Sequence, residues 1–136
     1  MPPKTPVLTV DCVAIDPDDR VLLVKRAHPP FQHAYALPGG FVELGETVEA
    51  ACRREFHEET GLEAGDLELL GVFSDPSRDP RGHTATVAYL TRISAHEPHA
   101  ASDAEAAEWV NDWRSLTLAF DHSEILALAE RRLRDT

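Results

Sequence analysis

Apolar and polar positions fall into blocks along this chain, and the blocks divide it into strands and helices. Residues 7–15 and 20–26 are dense in Val, Leu and Ile, and the turn residues Asp16-Pro17-Asp18-Asp19 between them predict a β-hairpin. Pro29-Pro30 begins a loop that ends at Leu37-Pro38-Gly39-Gly40, where proline and two glycines exclude a continuing helix. A helix is expected from about Thr47 to Thr60, stopped by Gly61 in the C′ position. Residues 67–73 and 84–93 read as strands flanking a polar loop, residues 96–103 as a loop, and residues 105–113 as a short strand. The last element is a helix with Asp121 as N-cap, Glu124 completing a capping box, and Phe120 stapled onto Ile125. Ile125, Leu126, Leu128, Ala129 and Leu133 form its buried stripe. Mixed strands with two helices predict an α/β or α+β sandwich. Residues 1–6 read as a short tail and residues 7–136 as one domain.

Composition narrows the classes. With 43% apolar and 27% charged residues the 136-residue chain matches neither a disordered nor a membrane protein. No apolar run approaches the ~18 residues of a membrane span. Cys12 and Cys52 lie far apart without CxxC spacing, which fits a reducing cytoplasm. The formal net charge of -11 repels nucleic-acid polymers. A protein this acidic can act on a small anion only if it brings cations to the site.

The Thr47–Thr60 helix supplies a reason for such cations. At 100° per residue Val48, Ala51 and Cys52 share a core-facing stripe, and the same face continues into Glu55 and Glu59, with Glu58 beside them. These positions are only about 4.5 to 6 Å apart along the axis. Like charges that close repel, and partial burial makes each ionised form costlier. A divalent cation compensates, and carboxylate oxygens suit Mg²⁺ or Mn²⁺. An acidic solvated face is the alternative explanation of a charge run, and it suffices for Glu49.

The residues around the glutamates carry a resemblance. Gly40-Phe41-Val42-Glu43-Leu44-Gly45-Glu46, then Arg54-Glu55-Phe56-His57-Glu58-Glu59-Thr60-Gly61-Leu62, is similar to the Nudix hydrolase signature Gx5Ex7REUxEExGU, with Phe56 where the family usually has Ile, Leu or Val. The resemblance implies an α/β/α sandwich with a mixed central sheet, and hydrolysis of a pyrophosphate bond with Mg²⁺, for which Mn²⁺ can substitute. It implies that Glu55, Glu58 and Glu59 ligate metal together with the Gly39 carbonyl. Arg54 and Glu46 would form a pair that orients the ligand helix. For the general base it leaves Glu58 within the signature, or Glu105, Glu108 or Asp103 downstream.

Substrate choice comes from outside the signature. The bent loop Ser74-Asp75-Pro76-Ser77-Arg78-Asp79-Pro80-Arg81-Gly82-His83 presents Arg78, Arg81 and His83 as an anion clamp, and Arg26 ends the second strand nearby. With Leu118-Ala119-Phe120-Asp121-His122 and Pro29-Pro30-Phe31, it resembles Nudix members acting on ADP-ribose. Phe31 and Tyr35 are then substrate contacts, Tyr35 standing where the family often has Trp. The expected reaction gives AMP and ribose 5-phosphate. A (d)NTP pyrophosphohydrolase is the rival within the class, and a non-catalytic ligand sensor the rival outside it. Sensors of that kind usually append a DNA-binding wing and erode the glutamates, whereas this sequence keeps them and stops soon after its last helix. Expected partners are a small nucleotide and no nucleic-acid polymer or membrane, with a homodimer left open. No phosphate-loop or serine-hydrolase motif occurs, and His57-Glu58-Glu59 lacks the second His of a zinc protease. His96 and His99 read as solvated.

Overall fold

In the computed structural model, residues 4–94, 96–99 and 104–135 are described. Residues 1–3 of the expected tail and Asp103 lie outside them. The elements run β1 Val7–Ile15, β2 Val21–Arg26, β3 Tyr35–Ala36, β4 Gly39–Phe41, α1 Val48–Thr60, β5 Glu68–Phe73, β6 Thr84–Arg92, β7 Ala104–Val110, a 3-10 turn Trp113–Ser115, and α2 His122–Arg134. The strand expected at 105–113 thus ends at Val110. The two short strands β3 and β4 fall inside the stretch read as loop.

The sheet is mixed. Its main path is β3-β2-β1-β6-β5, with β4 also on β1 and β7 also on β2. Along β1, Val10, Cys12 and Ala14 pack with Ala51, Cys52 and Phe56 of α1. The intervening Val13 and Ile15 pack with Ile125, Leu126 and Ala129 of α2. A strand buried on both faces reads as a nearly continuous apolar run, which is why β1 and β2 stood out. The result is the α/β/α sandwich.

The expected hairpin forms only at its tip. Asp16, buried, accepts the Asp18 and Arg20 N–H groups and the Arg20 Nε, which fixes the turn. Beyond the single pair Ile15↔Val21 the strands part. β1 instead pairs in parallel with β6 along its whole length, and antiparallel with β4. β2 takes β7 and β3. The two strongest strand signals therefore make a fork, and the fork holds the cleft described below.

Helix α1 begins and ends where its caps dictate. Thr47 accepts the Ala50 N–H at 3.1 Å, and Gly61, at φ 76°, donates its N–H to the His57 carbonyl. Only a residue comfortable at positive φ closes the helix this way.

Helix α2 departs from expectation. Asp121 holds the N-cap position but makes no side-chain cap bond. Its carboxylate binds Arg78, at 2.6 Å to Nη2 and 2.9 Å to Nε. Phe120, at φ 52°, packs with Val24, Ala34, Ala36 and Ala119 rather than serving as a staple. Arg78 also donates from Nη1 to the Thr84 and Thr86 hydroxyls, and its side chain is 5% exposed. It is a latch holding the β5–β6 loop to the start of α2. Removing one partner of a buried ion pair strands the other, so Arg78→Ala should lower stability by about 3 kcal/mol or more. Denaturant unfolding checks this, and a loss near zero would mean that the latch carries no load.

Candidate active site

A cleft of about 330 Å³ lies in the fork between β1 and β2. Asp11, Gly39, Gly40, Glu55 and Glu59 line it, and Arg26, Phe41, Arg81 and Phe120 line it too. The acid-bearing end of α1 thus shares one cavity with cations from β2 and the β5–β6 loop.

The glycines are there because two chains meet. A Cβ on Gly39 would lie 2.1 Å from the Val10 carbonyl oxygen, and one on Gly40 would lie 2.6 Å from the Glu55 carboxyl. Neither position has room for a side chain. The Cys12 N–H donates to the Pro38 carbonyl and the Val42 N–H to the Leu8 carbonyl. Bonding alternates along an antiparallel ladder. Since Gly40 faces Val10, Gly39 turns both its N–H and its carbonyl away from β1. That N–H bonds the Glu59 carboxyl.

Glu59 is nearly buried, and its pKa is pushed up to about 9 by desolvation first, then by the charges of Glu55 and Asp11. Glu55 is also raised, by burial, against the opposing pull of Arg54. The two carboxyls hydrogen-bond each other. Without a cation, ionising both at once is costly. Arg54 organises the surroundings. It grips Glu46 with Nε at 2.7 Å and Nη2 at 2.9 Å, and reaches Glu55 at 2.7 Å and the Phe41 carbonyl at 3.1 Å. The guanidinium holds Glu46 far below the usual carboxylate range, at about 2. Helix α1 is thereby tied to the strand that carries the glycines.

Among the described residues, no three His, Cys, Asp or Glu side chains form a closed metal cage. Two close carboxyls and one backbone carbonyl on the same side make an open, hard-oxygen donor set. That set fits a divalent cation which keeps waters and takes phosphate oxygens.

The other residues singled out above fall in different places. Glu58 is half exposed and sits outside the cleft lining, 3.3 Å from Arg54. Arg81 lines the cleft, 48% exposed and held to Asp79 at 2.8 Å. Arg78 lines it with its guanidinium committed to the latch. His83 bonds the Ser74 carbonyl, outside this cleft. Arg26 donates to the Pro30 carbonyl. Phe31 abuts Phe120 from behind the lining. Tyr35 donates to Glu108, and Glu105 pairs with His33 at 2.6 Å. Its neighbour Ala104 lines the cleft and Glu105 does not, the register of β2 against β7 shifting at this point.

Other cleft residues were given no individual role in the cleft by the sequence. Asp11 sits in an apolar strand, and His122 begins a helix. In the fold His122 accepts the Leu37 N–H at Nδ1 and meets Asp11 at 3.2 Å through Nε2. Lys25 and Phe120 also belong to the lining.

The NUDIX domain family matches residues 5–133, and the chain belongs to this family of hydrolases. Nudix hydrolases generally use divalent metals. An ADP-ribose pyrophosphatase of Methanocaldococcus jannaschii is 46% identical over 121 residues, covering 89% of this chain and 71% of that protein. The ADPR responsive transcriptional repressor NtrR of Acinetobacter baylyi is 35% identical over 138 residues, covering 95% of this chain and 55% of the repressor. The NUDIX domain of Shewanella oneidensis NrtR, in its cocrystal structure with ADP ribose, superposes with a TM-score of 0.89 at 33% identity, covering 96% of this chain and 90% of that one. Among the described residues no helix is long and apolar enough to cross a membrane.

The raised Glu59 has a consequence for stability. Its carboxyl keeps a proton in the folded protein up to about pH 9, whereas the unfolded chain releases it near its ordinary value of 4.5. Between those values the folded state binds more protons, so this group's contribution to metal-free stability falls as pH rises. In chelator, Glu59→Gln should melt higher than the wild type at pH 8 and 9, the gap closing towards pH 5. Equal melting temperatures across that range would contradict the burial assigned to Glu59.

Proposed function

We propose that this protein hydrolyses ADP-ribose to AMP and ribose 5-phosphate with Mg²⁺, Mn²⁺ serving as a substitute. The observation that carries the reading is the cleft itself, which brings Glu55 and Glu59 together beside Gly39 and also presents Arg26 and Arg81. The Methanocaldococcus jannaschii ADP-ribose pyrophosphatase supports the substrate, and the open oxygen donor set supports the metal. The two buried free thiols, Cys12 and Cys52, agree with a reducing cytoplasm.

When bound, the cation supplies positive charge beside the diphosphate and the Lewis acidity that makes water nucleophilic at neutral pH. Glu55 and Glu59 would hold it, with Glu58 at the rim and the Gly39 carbonyl beside them. Arg54, through Glu46 and the Phe41 carbonyl, is a positioning residue that keeps the acidic end of α1 against β4. Arg81 and Arg26 face the diphosphate and offset its charge. For the base, Glu58 is better placed than Glu105 or Glu108, which hold His33 and Tyr35. Water adds to one phosphorus, the bridging P–O bond breaks, and the proton of the water passes to the base.

Assaying ADP-ribose, sugar nucleotides and (d)NTPs with Mg²⁺ tests the reading. ADP-ribose should give the highest kcat/KM. Glu59→Gln should lower turnover by more than about 100-fold, since even residues that merely support a metal ligand are worth 10–100-fold. Full activity in excess chelator would sink the metal mechanism, and a (d)NTP preference would overturn the substrate. ADP-ribose binding without turnover would favour a sensor, the role named for the Acinetobacter baylyi repressor. Arg81→Ala should raise KM for ADP-ribose roughly 10-fold, the loss of one charge-assisted contact. An unchanged KM would assign Arg81 to Asp79 alone.

A further inference from the structure

Among the described residues four that are not glycine adopt positive φ, and two of them are phenylalanines, Phe31 at 59° and Phe120 at 52°. A bulky side chain there costs free energy, and such strain collects at ligand sites. The two rings meet edge to face, their centroids 5.0 Å apart. Phe31 belongs to the loop after β2, and Phe120 lines the cleft.

Two guanidiniums already stack on Phe120. Arg26 lies 5.1 Å and Arg81 5.5 Å from its ring centroid. A guanidinium is planar and stacks on aromatic faces much as a base does. The ring therefore accepts flat groups, with two positive charges beside it, in the cavity that holds Glu55 and Glu59. A flat face next to cations is what a purine nucleotide's two halves require. The base gains from stacking, and its phosphates gain from the arginines. Arg81 is the more exposed of the two, and its tether to Asp79 keeps it in the cleft when its place on the ring is taken.

Resting on the reading of this cleft as a nucleotide site, we infer that Phe120 is the specificity residue for the base. The purine ring stacks on Phe120 in place of the Arg81 guanidinium, with Phe31 holding the platform edge-on.

AMP and ribose 5-phosphate carry the same phosphate and a ribose, and differ in the base, so their binding separates stacking from every other effect. Each would be titrated calorimetrically into the full-length wild type, Phe120→Leu and Phe120→Trp, all with Mg²⁺ and all checked for a cooperative melt. The wild type should bind AMP more tightly than ribose 5-phosphate. Phe120→Leu should weaken AMP roughly 10-fold, as expected for one lost base–aromatic stack, and leave ribose 5-phosphate unchanged. Phe120→Trp should keep AMP affinity. In turnover the Leu variant should raise KM for ADP-ribose with kcat held. No preference for AMP in the wild type, an AMP affinity untouched by Leu, or equal losses for both ligands would each overturn the inference. Because binding is read directly, a wild type that fails to hydrolyse ADP-ribose would defeat the proposed reaction while leaving this test readable.

Discussion

Two carboxyls that are costly to charge together organise the site. Glu55 and Glu59 lie one turn apart on the face of α1 that continues from Ala51 and Cys52 into the core. Burial raises both pKa values; the charge of Glu55 raises Glu59 further, and the charge of Glu58 does the same for Glu55. A surface helix would relieve the pressure by moving into water. Here it cannot move, because Arg54 ties it to Glu46 and the Phe41 carbonyl, and because Gly40 leaves no gap behind Glu55. The pair keeps a proton or takes a cation. Metal affinity is thus set by how firmly the surrounding structure refuses to relax.

That firmness comes from the fork in the sheet. β1 and β2 join only at Ile15↔Val21, so β4 can lie along β1 and carry Gly39 to the glutamates. Had the hairpin zipped through its length, β2 would occupy the edge that β4 uses, and the Gly39 carbonyl would have no place near α1. The same opening brings Arg26 of β2 into the cleft opposite Glu59. An overall charge of -11 then ceases to be an obstacle, because Arg26 and Arg81 stand at the cavity that an anionic substrate enters.

What could be read from the sequence follows the range of the interactions. Thr47, Gly61 and the glutamate stripe are legible because caps and helical faces are decided by neighbours a few residues away. The strand positions of β1 and β6 are legible because burial on both faces leaves apolar runs. The partners of β1 are not, since a hairpin and a parallel pair with β6 present the same apolar pattern. Asp121 reads as a capping residue because Asp usually caps. Its carboxylate was claimed instead by Arg78, 43 residues earlier, at 2.6 Å. Phe120 reads as a staple for the same local reason, and its left-handed backbone leaves no mark in the residue type. Asp11 and His122 find each other, and Leu37, only through the fold.

The division has a functional side. The acidic end of the cleft is built within one stretch, Gly39 to Gly61, whose parts hold each other through Arg54 and Glu46. The opposite end is assembled from β2, the β5–β6 loop and the segment before α2, joined by Arg78–Asp121 and by the contacts of Phe120 with Arg26 and Arg81. Changes in those three segments can reshape what the cleft accepts without reaching the residues that fix Glu55 and Glu59. A family can therefore share one chemistry across substrates as different as those named for its members. It also follows that the signature alone identifies the bond broken, while the identity of the molecule containing that bond depends on contacts between residues far apart in the chain.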